Sequence, residues 1–186
     1  MAKIFVISGV SGVGKSSLIK SIFKDTEFAR NIVLSISYTT RGMRVGETNG
    51  KDYVFVSVDD FKNMITQDEF IEYAMVYHNY YGTNKNFIEG RLQQGKNVIV
   101  EIDWQGALQI QQIFGDQAVL IYIKPPSWEE LVERLTNRKT DSKETIELRL
   151  QAAKEEFQYI KYYNFVVIND DFEHSVLQLK NIISGY

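Results

Sequence analysis

The chain has 186 residues, of which 44% are hydrophobic and 24% charged, a size and composition that fit one folded domain and exclude a disordered chain. Its net charge of -3 gives no reason to expect nucleic acid or an anionic membrane as partner. The absence of cysteine excludes disulfides and thiolate metal sites. No signal peptide is recognisable, and no apolar run reaches the roughly 20 residues that span a bilayer. A cytoplasmic protein without a membrane partner is therefore expected.

Strands and helices are predicted to alternate along much of the chain. Consecutive apolar residues without alternation are typical of strands covered on both faces, as in a parallel sheet. In chain order the predicted elements are strand Ile4–Ile7, helix Lys15–Lys24, strand Val98–Val100, helix Gln105–Phe114, strand Val119–Ile123, helix Ser127–Arg138, helix Lys143–Tyr162, strand Phe165–Ile168 and helix Phe172–Ile183. This order predicts an α/β fold with a central parallel sheet and right-handed crossovers.

Residues from about Asn31 to about Gln94 interrupt this alternation. They contain alternating stretches such as Tyr53–Val56 and turn signals such as Asn49-Gly50, which predict an inserted and partly antiparallel subdomain. The segment Asn137–Glu144 is polar and charged, and its simplest interpretation is a solvated loop.

A phosphate-binding loop is predicted between the first strand and the first helix. Residues 9–16 read GVSGVGKS, a complete match to G-x-x-x-x-G-K-[ST] in its expected strand–loop–helix context. The glycines let the backbone curl with its N–H groups inward, Lys15 can reach the β- and γ-phosphates, and the Ser16 hydroxyl can ligate Mg²⁺. The residues expected to bind ATP are Gly9, Val10, Ser11, Gly12, Val13, Gly14, Lys15, Ser16 and Ser17. A glycine turn without chemical meaning is the alternative, which the flanking elements disfavour.

Five further blocks narrow the interpretation. They are SISYTTRGMRVGETNGKDYVFVS at 35–57, EFIEYA at 69–74, NYYGT at 79–83, VEIDWQGA at 100–107 and KPPSWEELVERL at 124–135. With the loop and the closing VINDD at 167–171, they resemble the guanylate kinase family over nearly the whole chain, and the T-T-R-x-x-R-x-G-E…G-x-D-Y block is highly specific.

The resemblance implies a P-loop NTPase three-layer fold with one guanylate-kinase-like domain. Its core is expected at 1–30, 95–135 and 160–186, a GMP-binding insertion at about 31–94, and a helical lid at about 136–159. The implied reaction is Mg²⁺-dependent transfer of the ATP γ-phosphoryl group to GMP, giving ADP and GDP. The implied partners are therefore the small molecules ATP and GMP, with dGMP expected as a second acceptor, whereas a monomer and a homodimer are both left open.

The insertion offers a clamp for the GMP phosphate. Arg41 and Arg44 lie three apart in a loop with Gly42 and can bind a 5′-phosphate in bidentate fashion. Tyr53 and Tyr81 can add phenolic donors. Each of these residues alone has an ordinary alternative, a solvated charge or a core aromatic, and their occurrence in the family's order and spacing favours binding.

The match to the family motif also assigns the guanine contacts. Guanine presents N1–H and the N2 amino group as donors and O6 as an acceptor. The resemblance makes Glu72 the carboxylate for the donors, and Ser37 and Thr83 the hydroxyls for O6. AMP would turn a bare N1 lone pair towards Glu72, and sites of this kind discriminate by roughly 10⁴.

A predicted buried strand, Val98–Asp103, ends in acidic residues at the edge of the sheet where a Walker-B carboxylate is required. The resemblance gives Asp103 a place near guanine and the water shell of the metal, so the expected metal ligands are Ser16 and, through water, Asp103. Glu101 stands where many relatives have Asp, and its role is left open. A strand-end carboxylate in solvent is the alternative.

Arginines flank the polar segment. Arg134 and Arg138 lie one helical turn apart, and Arg149 lies on the next helix. The resemblance makes this region the lid that closes over the phosphates. Relatives often have Gly after the lid arginine, where this chain has Lys139. The alternative for these arginines is i,i+4 pairing with acids such as Glu130. The residues expected to act in catalysis are Lys15, Arg41, Arg134, Arg138 and Arg149.

Two other functions are weighed. A nucleoside-monophosphate kinase for another base would share the loop but not the set of Glu72, Ser37 and Thr83. An inactive protein-interaction module of guanylate-kinase type typically lacks the intact loop, whereas Gly14, Lys15 and Ser16 are all present here. An enzyme is therefore predicted.

Overall fold

The computed structural model describes residues 1–137 and 142–186. Within these ranges the strands are β1 (Ile4–Ser8), β2 (Ile32–Ser35), β3 (Tyr38–Thr39), β4 (Val54–Phe55), β5 (Phe70–Val76), β6 (Asn79–Asn84), β7 (Asn97–Glu101), β8 (Ala118–Lys124) and β9 (Phe165–Ile168). The helices are α1 (Lys15–Ile22), α2 (Val58–Thr66), α3 (Lys85–Gln93), α4 (Trp104–Phe114), α5 (Trp128–Thr136), α6 (Lys143–Glu156) and α7 (Phe172–Ser184).

A five-stranded sheet in the order β2-β7-β1-β8-β9 forms the centre of the fold, and all its neighbours are parallel. The side chains of β1 are fully buried, as are nearly all those of β8, which is why these strands are continuous apolar runs. Helices α3 and α4 pack on the strands, and α1 packs against α7. The expected α/β fold with a central parallel sheet is confirmed.

The central sheet contains one strand that the sequence analysis did not predict. β2 pairs with β7 along its whole length, with Ile32 opposite Asn97 and Ser35 opposite Val100. The expected insertion, about residues 31–94, therefore overlaps the central sheet at its beginning. β2 is an edge strand with half-buried side chains in its middle, so its apolar run is shorter than those of the inner strands.

A second sheet, in the order β4-β3-β6-β5, lies in the insertion, and β5 and β6 form an antiparallel hairpin. Its small core is aromatic. Phe61 stacks on Phe70 and Tyr80 with ring centroids 4.4 and 5.3 Å apart. Ser57 caps α2 by accepting a hydrogen bond from Asp60 N. The strand β5 also packs against α4, which connects the insertion to the core.

The two helices that border residues 138–141 both begin with a serine cap. Ser127 Oγ accepts from Glu130 N at 3.1 Å and so caps α5. Ser142 caps α6 in the same way. α6 ends at Glu156, and the rest of the expected helix to Tyr162 is a 3₁₀ helix, Phe157–Tyr162. Among the described residues, no helix is long and apolar enough to cross a membrane.

Candidate active site

The predicted phosphate loop lies between the end of β1 and the start of α1. Gly9, Gly12 and Gly14 have φ angles of 143°, 90° and 101°, a backbone region that residues with a side chain rarely adopt. A Cβ at Gly14 would also lie 2.7 Å from Asn169 Nδ2. Because α1 begins at Lys15, the unpaired N–H groups of its first turn add to those of the loop. This arrangement can bind an anion.

The loop brings most of the predicted ATP ligands together. The Lys15 ammonium donates to the carbonyl oxygens of Gly9 and Val10 and so lies against the loop. The side chains of Val10 and Val13 are buried in the core, so these residues offer only backbone groups. Ser16 and Ser17 are exposed on the first turn of α1.

A carboxylate reaches this loop from the neighbouring strand. β7 lies beside β1 in the sheet, and its last residue, Glu101, accepts a hydrogen bond from Ser16 Oγ at 2.7 Å. Glu101, whose role the sequence left open, is thus the residue that contacts Ser16, the expected metal ligand. No cluster of three or more His, Cys, Asp or Glu that could hold a metal occurs in residues 1–137 and 142–186.

Asp103 has a different position, at the N-terminus of α4. Its Oδ1 accepts from Gly106 N at 3.0 Å and its Oδ2 from Gln105 Nε2 at 2.9 Å. Burial raises the pKa of this carboxyl above its ordinary value, against the lowering effects of these hydrogen bonds and of Lys15. Asp103 is therefore a helix cap that also lies within electrostatic reach of the phosphate loop.

The predicted guanine carboxylate is buried in the insertion. Glu72 is 3% exposed, and the hairpin register places it opposite Thr83, whose Oγ1 donates to Glu72 Oε1 at 2.5 Å. Burial raises the pKa of Glu72 to about 7, with a further contribution from Asp103 and an opposing one from Thr83. Ser37 is also buried, in the connection between β2 and β3. The carboxylate of Glu72 and the hydroxyl residues Ser37 and Thr83 are thus all buried.

The two clamp arginines differ in their surroundings. Arg41 is half-buried and its two terminal nitrogens donate to Glu47 at 2.7 and 3.1 Å, while its carbon Cζ lies 5.3 Å from the centre of the Tyr53 ring. Arg44 is exposed, and its backbone N–H donates to Glu47 at 2.7 Å. Tyr53 contacts Tyr81 edge-on at 5.9 Å, and burial raises the pKa of Tyr53. Glu47, which had no predicted role, holds this loop together.

Two of the three lid arginines touch the phosphate loop. Arg134 donates from Nη2 to the carbonyl oxygen of Asn169 at 3.0 Å, lies 3.5 Å from that of Val13, and also pairs with Glu130 through Nε at 2.9 Å. The i,i+4 pairing weighed for Arg134 is therefore present, and its role over the phosphates stays a prediction. Arg149 donates to Ser11 Oγ at 2.5 Å and is 7% exposed.

Arg138 and Lys139 lie outside the described residues, so their predicted roles stay predictions.

Sequence reasoning missed an acid with a buried carboxylate oxygen, within electrostatic reach of Lys15. Glu156, the last residue of α6, has a carboxylate oxygen with no hydrogen-bonding partner in the described chain. Burial raises its pKa to about 7, opposed mainly by the positive charge of Lys15. The spacing to Arg149 is the signal that could have found it, because residues seven apart share a helix face, and Arg149 contacts the loop.

Known proteins match the chain over almost its full length. The sequence profile described as Guanylate kinase matches residues 1–186. The guanylate kinase of Francisella tularensis subsp. holarctica is 49% identical over 95% of the chain and 93% of that relative, and the guanylate kinase of Caldanaerobacter subterraneus subsp. tengcongensis is 46% identical over 97% and 85%. A crystal structure of guanylate kinase from Anaplasma phagocytophilum superposes with a TM-score of 0.81 at 32% identity, covering 99% of this chain and 85% of that one.

Proposed function

The chain belongs to the guanylate kinase family, and we propose how its residues transfer the γ-phosphoryl group of ATP to GMP, giving ADP and GDP. One observation supports this assignment above the others. A complete phosphate loop and a buried Glu72–Thr83 pair are linked through Asp103, which lies within electrostatic reach of both Lys15 and Glu72. In this proposal the donor and acceptor sites are neighbours, with Asp103 between them.

The phosphate loop holds ATP. Backbone N–H groups from Gly9 to Lys15 bind the phosphates, and Lys15 turns from the carbonyl oxygens of Gly9 and Val10 to the β- and γ-phosphates. Its flexible stem allows this without movement of the loop.

A magnesium ion fits the groups at this edge. Mg²⁺ is usually bound by one or two carboxylates together with substrate phosphates and waters, and the chain offers the Ser16 hydroxyl with Glu101 at 2.7 Å and Asp103 nearby. When bound, Mg²⁺ neutralises charge on the β- and γ-phosphates. In this proposal Ser16 would hold the ion directly, and Glu101 and Asp103 would hold it through water.

The insertion binds GMP. Glu72 accepts hydrogen bonds from N1–H and the N2 amino group, and the hydroxyls of Ser37 and Thr83 serve O6. None of these contacts involves the sugar, so dGMP is accepted as well. AMP is rejected because it would leave the buried Glu72 carboxylate without a donor.

Arg41 binds the GMP phosphate from a fixed position. A guanidinium has five N–H groups; Arg41 donates two of them to Glu47 and one to the Gly42 carbonyl oxygen. Others then meet the phosphate together with Arg44, Tyr53 and Tyr81. Because Glu47 fixes the side chain in advance, little side-chain entropy is lost when GMP binds.

Transfer itself needs no protein nucleophile. A phosphate oxygen of GMP attacks the γ-phosphorus, the new P–O bond forms as the bond to the β,γ-bridging oxygen breaks, and ADP leaves with that electron pair. Negative charge spreads over the γ-phosphoryl oxygens in the transition state. Lys15, Arg134 and Arg149 stabilise this charge with their positive charges, and Arg138 is assigned the same role by its sequence position.

Product analysis tests this assignment. ³¹P NMR of the protein with Mg²⁺, ATP and GMP is expected to show ADP and GDP appearing in equal amounts. Formation of ADP and inorganic phosphate without GDP would contradict transfer to GMP and leave an ATPase. ATP binding without any turnover would instead favour the interaction-module interpretation.

A further inference from the structure

The guanine pocket touches the core at one point, where α4 packs against β5. Gly106 on the first turn of α4 is buried beside Glu72. A Cβ built on Gly106 would clash with Glu72 Oε2 and lie 3.0 Å from Cδ of the same carboxylate, with Ile102 Cδ1 at 3.2 Å on another side. Glycine is thus the residue that leaves room for the carboxylate where it stands.

A second contact from α4 lies one turn further on. β5 is the outer strand of its sheet, and the side-chain amide of Gln109 satisfies the backbone of Tyr73, the residue after Glu72. Gln109 Nε2 donates to the Tyr73 carbonyl oxygen at 3.1 Å, and the Tyr73 N–H donates to Gln109 Oε1 at 3.4 Å. This pairing takes the place of a neighbouring strand at that point of the edge.

We propose that Gly106 and Gln109 are positioning residues for guanine specificity, because they determine from the core helix where the Glu72 carboxylate stands. The inference rests on the proposed role of Glu72 as the acceptor of guanine N1–H and N2–H. Gly106 sets the distance of the carboxylate from α4, and Gln109 sets the position of the strand that bears it. The specificity of the insertion therefore depends on two residues outside it.

Gly106→Ala is the sharpest perturbation. To reach ordinary van der Waals separation from the new methyl group, the carboxylate must move by about 1 Å, and a misplacement of this size in a site can cost about 10²-fold in rate or binding. The atom that must move is the end of a flexible side chain, so the protein is expected to fold. Alanine in place of glycine also favours a helix.

The chain offers a matched control for each variant. Gly90 lies within α3, and a Cβ there would meet nothing within 4 Å. Gln112 is exposed on α4, three residues after Gln109. Gly90→Ala and Gln112→Ala therefore repeat the changes of residue type without touching the pocket.

Steady-state kinetics of these variants test the proposal. Gly106→Ala is expected to raise KM for GMP by about tenfold or more and Gln109→Ala by severalfold, while KM for ATP and both controls stay within about twofold of the wild type. In a Glu72→Ala background, Gly106→Ala is expected to add less than about twofold, because the atoms it displaces are gone. If Gly106→Ala does not fold, the comparison of KM for GMP between Gln109→Ala and its control, Gln112→Ala, tests the proposal.

Three results would overturn the inference. One is an unchanged GMP KM in Gly106→Ala and Gln109→Ala when Glu72→Ala itself weakens GMP; the proposed function then stands and only the inference fails. Another is an equal loss for ATP and GMP, which indicates a general structural effect. If Glu72→Ala leaves GMP unaffected, the assigned role of Glu72 and the inference fail together.

Discussion

The pocket for guanine predicts a steep dependence of GMP affinity on pH. Burial raises the pKa of Glu72 to about 7 in the free protein, and only the ionised carboxylate accepts both N1–H and the N2 amino group. Affinity is therefore complete above this pKa and is lost as the pH falls through it. Protonated Glu72 would present an O–H towards the N–H donors of guanine.

The magnitude follows from the same pKa. About nine tenths of Glu72 is ionised at pH 8 and about one tenth at pH 6. GMP is thus expected to bind about tenfold more weakly at pH 6 than at pH 8, a difference of about 1.4 kcal/mol. Near pH 7 the binding of one GMP is expected to release about half a proton from this group.

Isothermal titration calorimetry measures both quantities, the second from titrations in buffers of different ionisation enthalpy. The GMP phosphate itself has a second pKa of about 6, so wild type must be compared with Glu72→Gln. The phosphate titrates with both proteins, whereas the variant lacks the titrating carboxylate. The variant is expected to bind GMP more weakly throughout and with a shallower pH dependence. If the GMP affinities of wild type and Glu72→Gln depend on pH in the same way, Glu72 is not the group that binds guanine.

Three further changes have expected outcomes. Lys15→Ala is expected to abolish ADP release with ATP and GMP while melting by circular dichroism stays within a few degrees, because within residues 1–137 and 142–186 the lysine hydrogen-bonds only to loop carbonyls. Arg41→Lys is expected to raise KM for GMP by about tenfold, with ATP unaffected, because a lysine cannot hold Glu47 and a phosphate with one fixed fork. Glu156→Gln is expected to stabilise the protein towards urea at pH 8 by up to about 3 kcal/mol and not at pH 4. The reason is that the pKa of Glu156 is about 7 in the folded state, above the ordinary 4.5. Ionisation of Glu156 therefore destabilises the folded state as the pH rises from 4.5 to about 7.

Each of these has a contradicting result. Normal turnover of Lys15→Ala would remove the phosphate loop from the mechanism. An equal rise in KM for ATP and GMP in Arg41→Lys would place that arginine outside the acceptor clamp. Equal stabilisation of Glu156→Gln at pH 4 and pH 8 would show that its effect comes from packing and not from ionisation.

Local features of this chain could be predicted well from its sequence. The phosphate loop is specified by eight consecutive residues and its two flanking elements, and the cap of α5 by Ser127 and the residue three positions on. Both depend on contacts between near neighbours in the chain, which spacing alone determines. The inner strands of the central sheet could be predicted equally well, because burial on both faces requires continuous apolar runs.

Contacts between distant segments could not be predicted in this way. Whether β2 belongs to the central sheet depends on its pairing with β7, which is 62 residues or more further along the chain, and its half-buried run resembles those of the insertion. The carboxylate of Glu101 beside Ser16, the ion pair of Arg41 with Glu47 and the close approach of Gly106 to Glu72 arise from strand order and helix packing. Single residue types contain no signal for them.

The most direct test of the central claim is a coupled ADP-release assay with Mg²⁺ and ATP, with GMP, AMP, CMP and UMP supplied in parallel. The account predicts turnover with GMP and at least about 10³-fold lower kcat/KM with the other three. Comparable turnover with a different monophosphate would keep the phosphate loop and contradict the guanine pocket built on Glu72, Ser37 and Thr83.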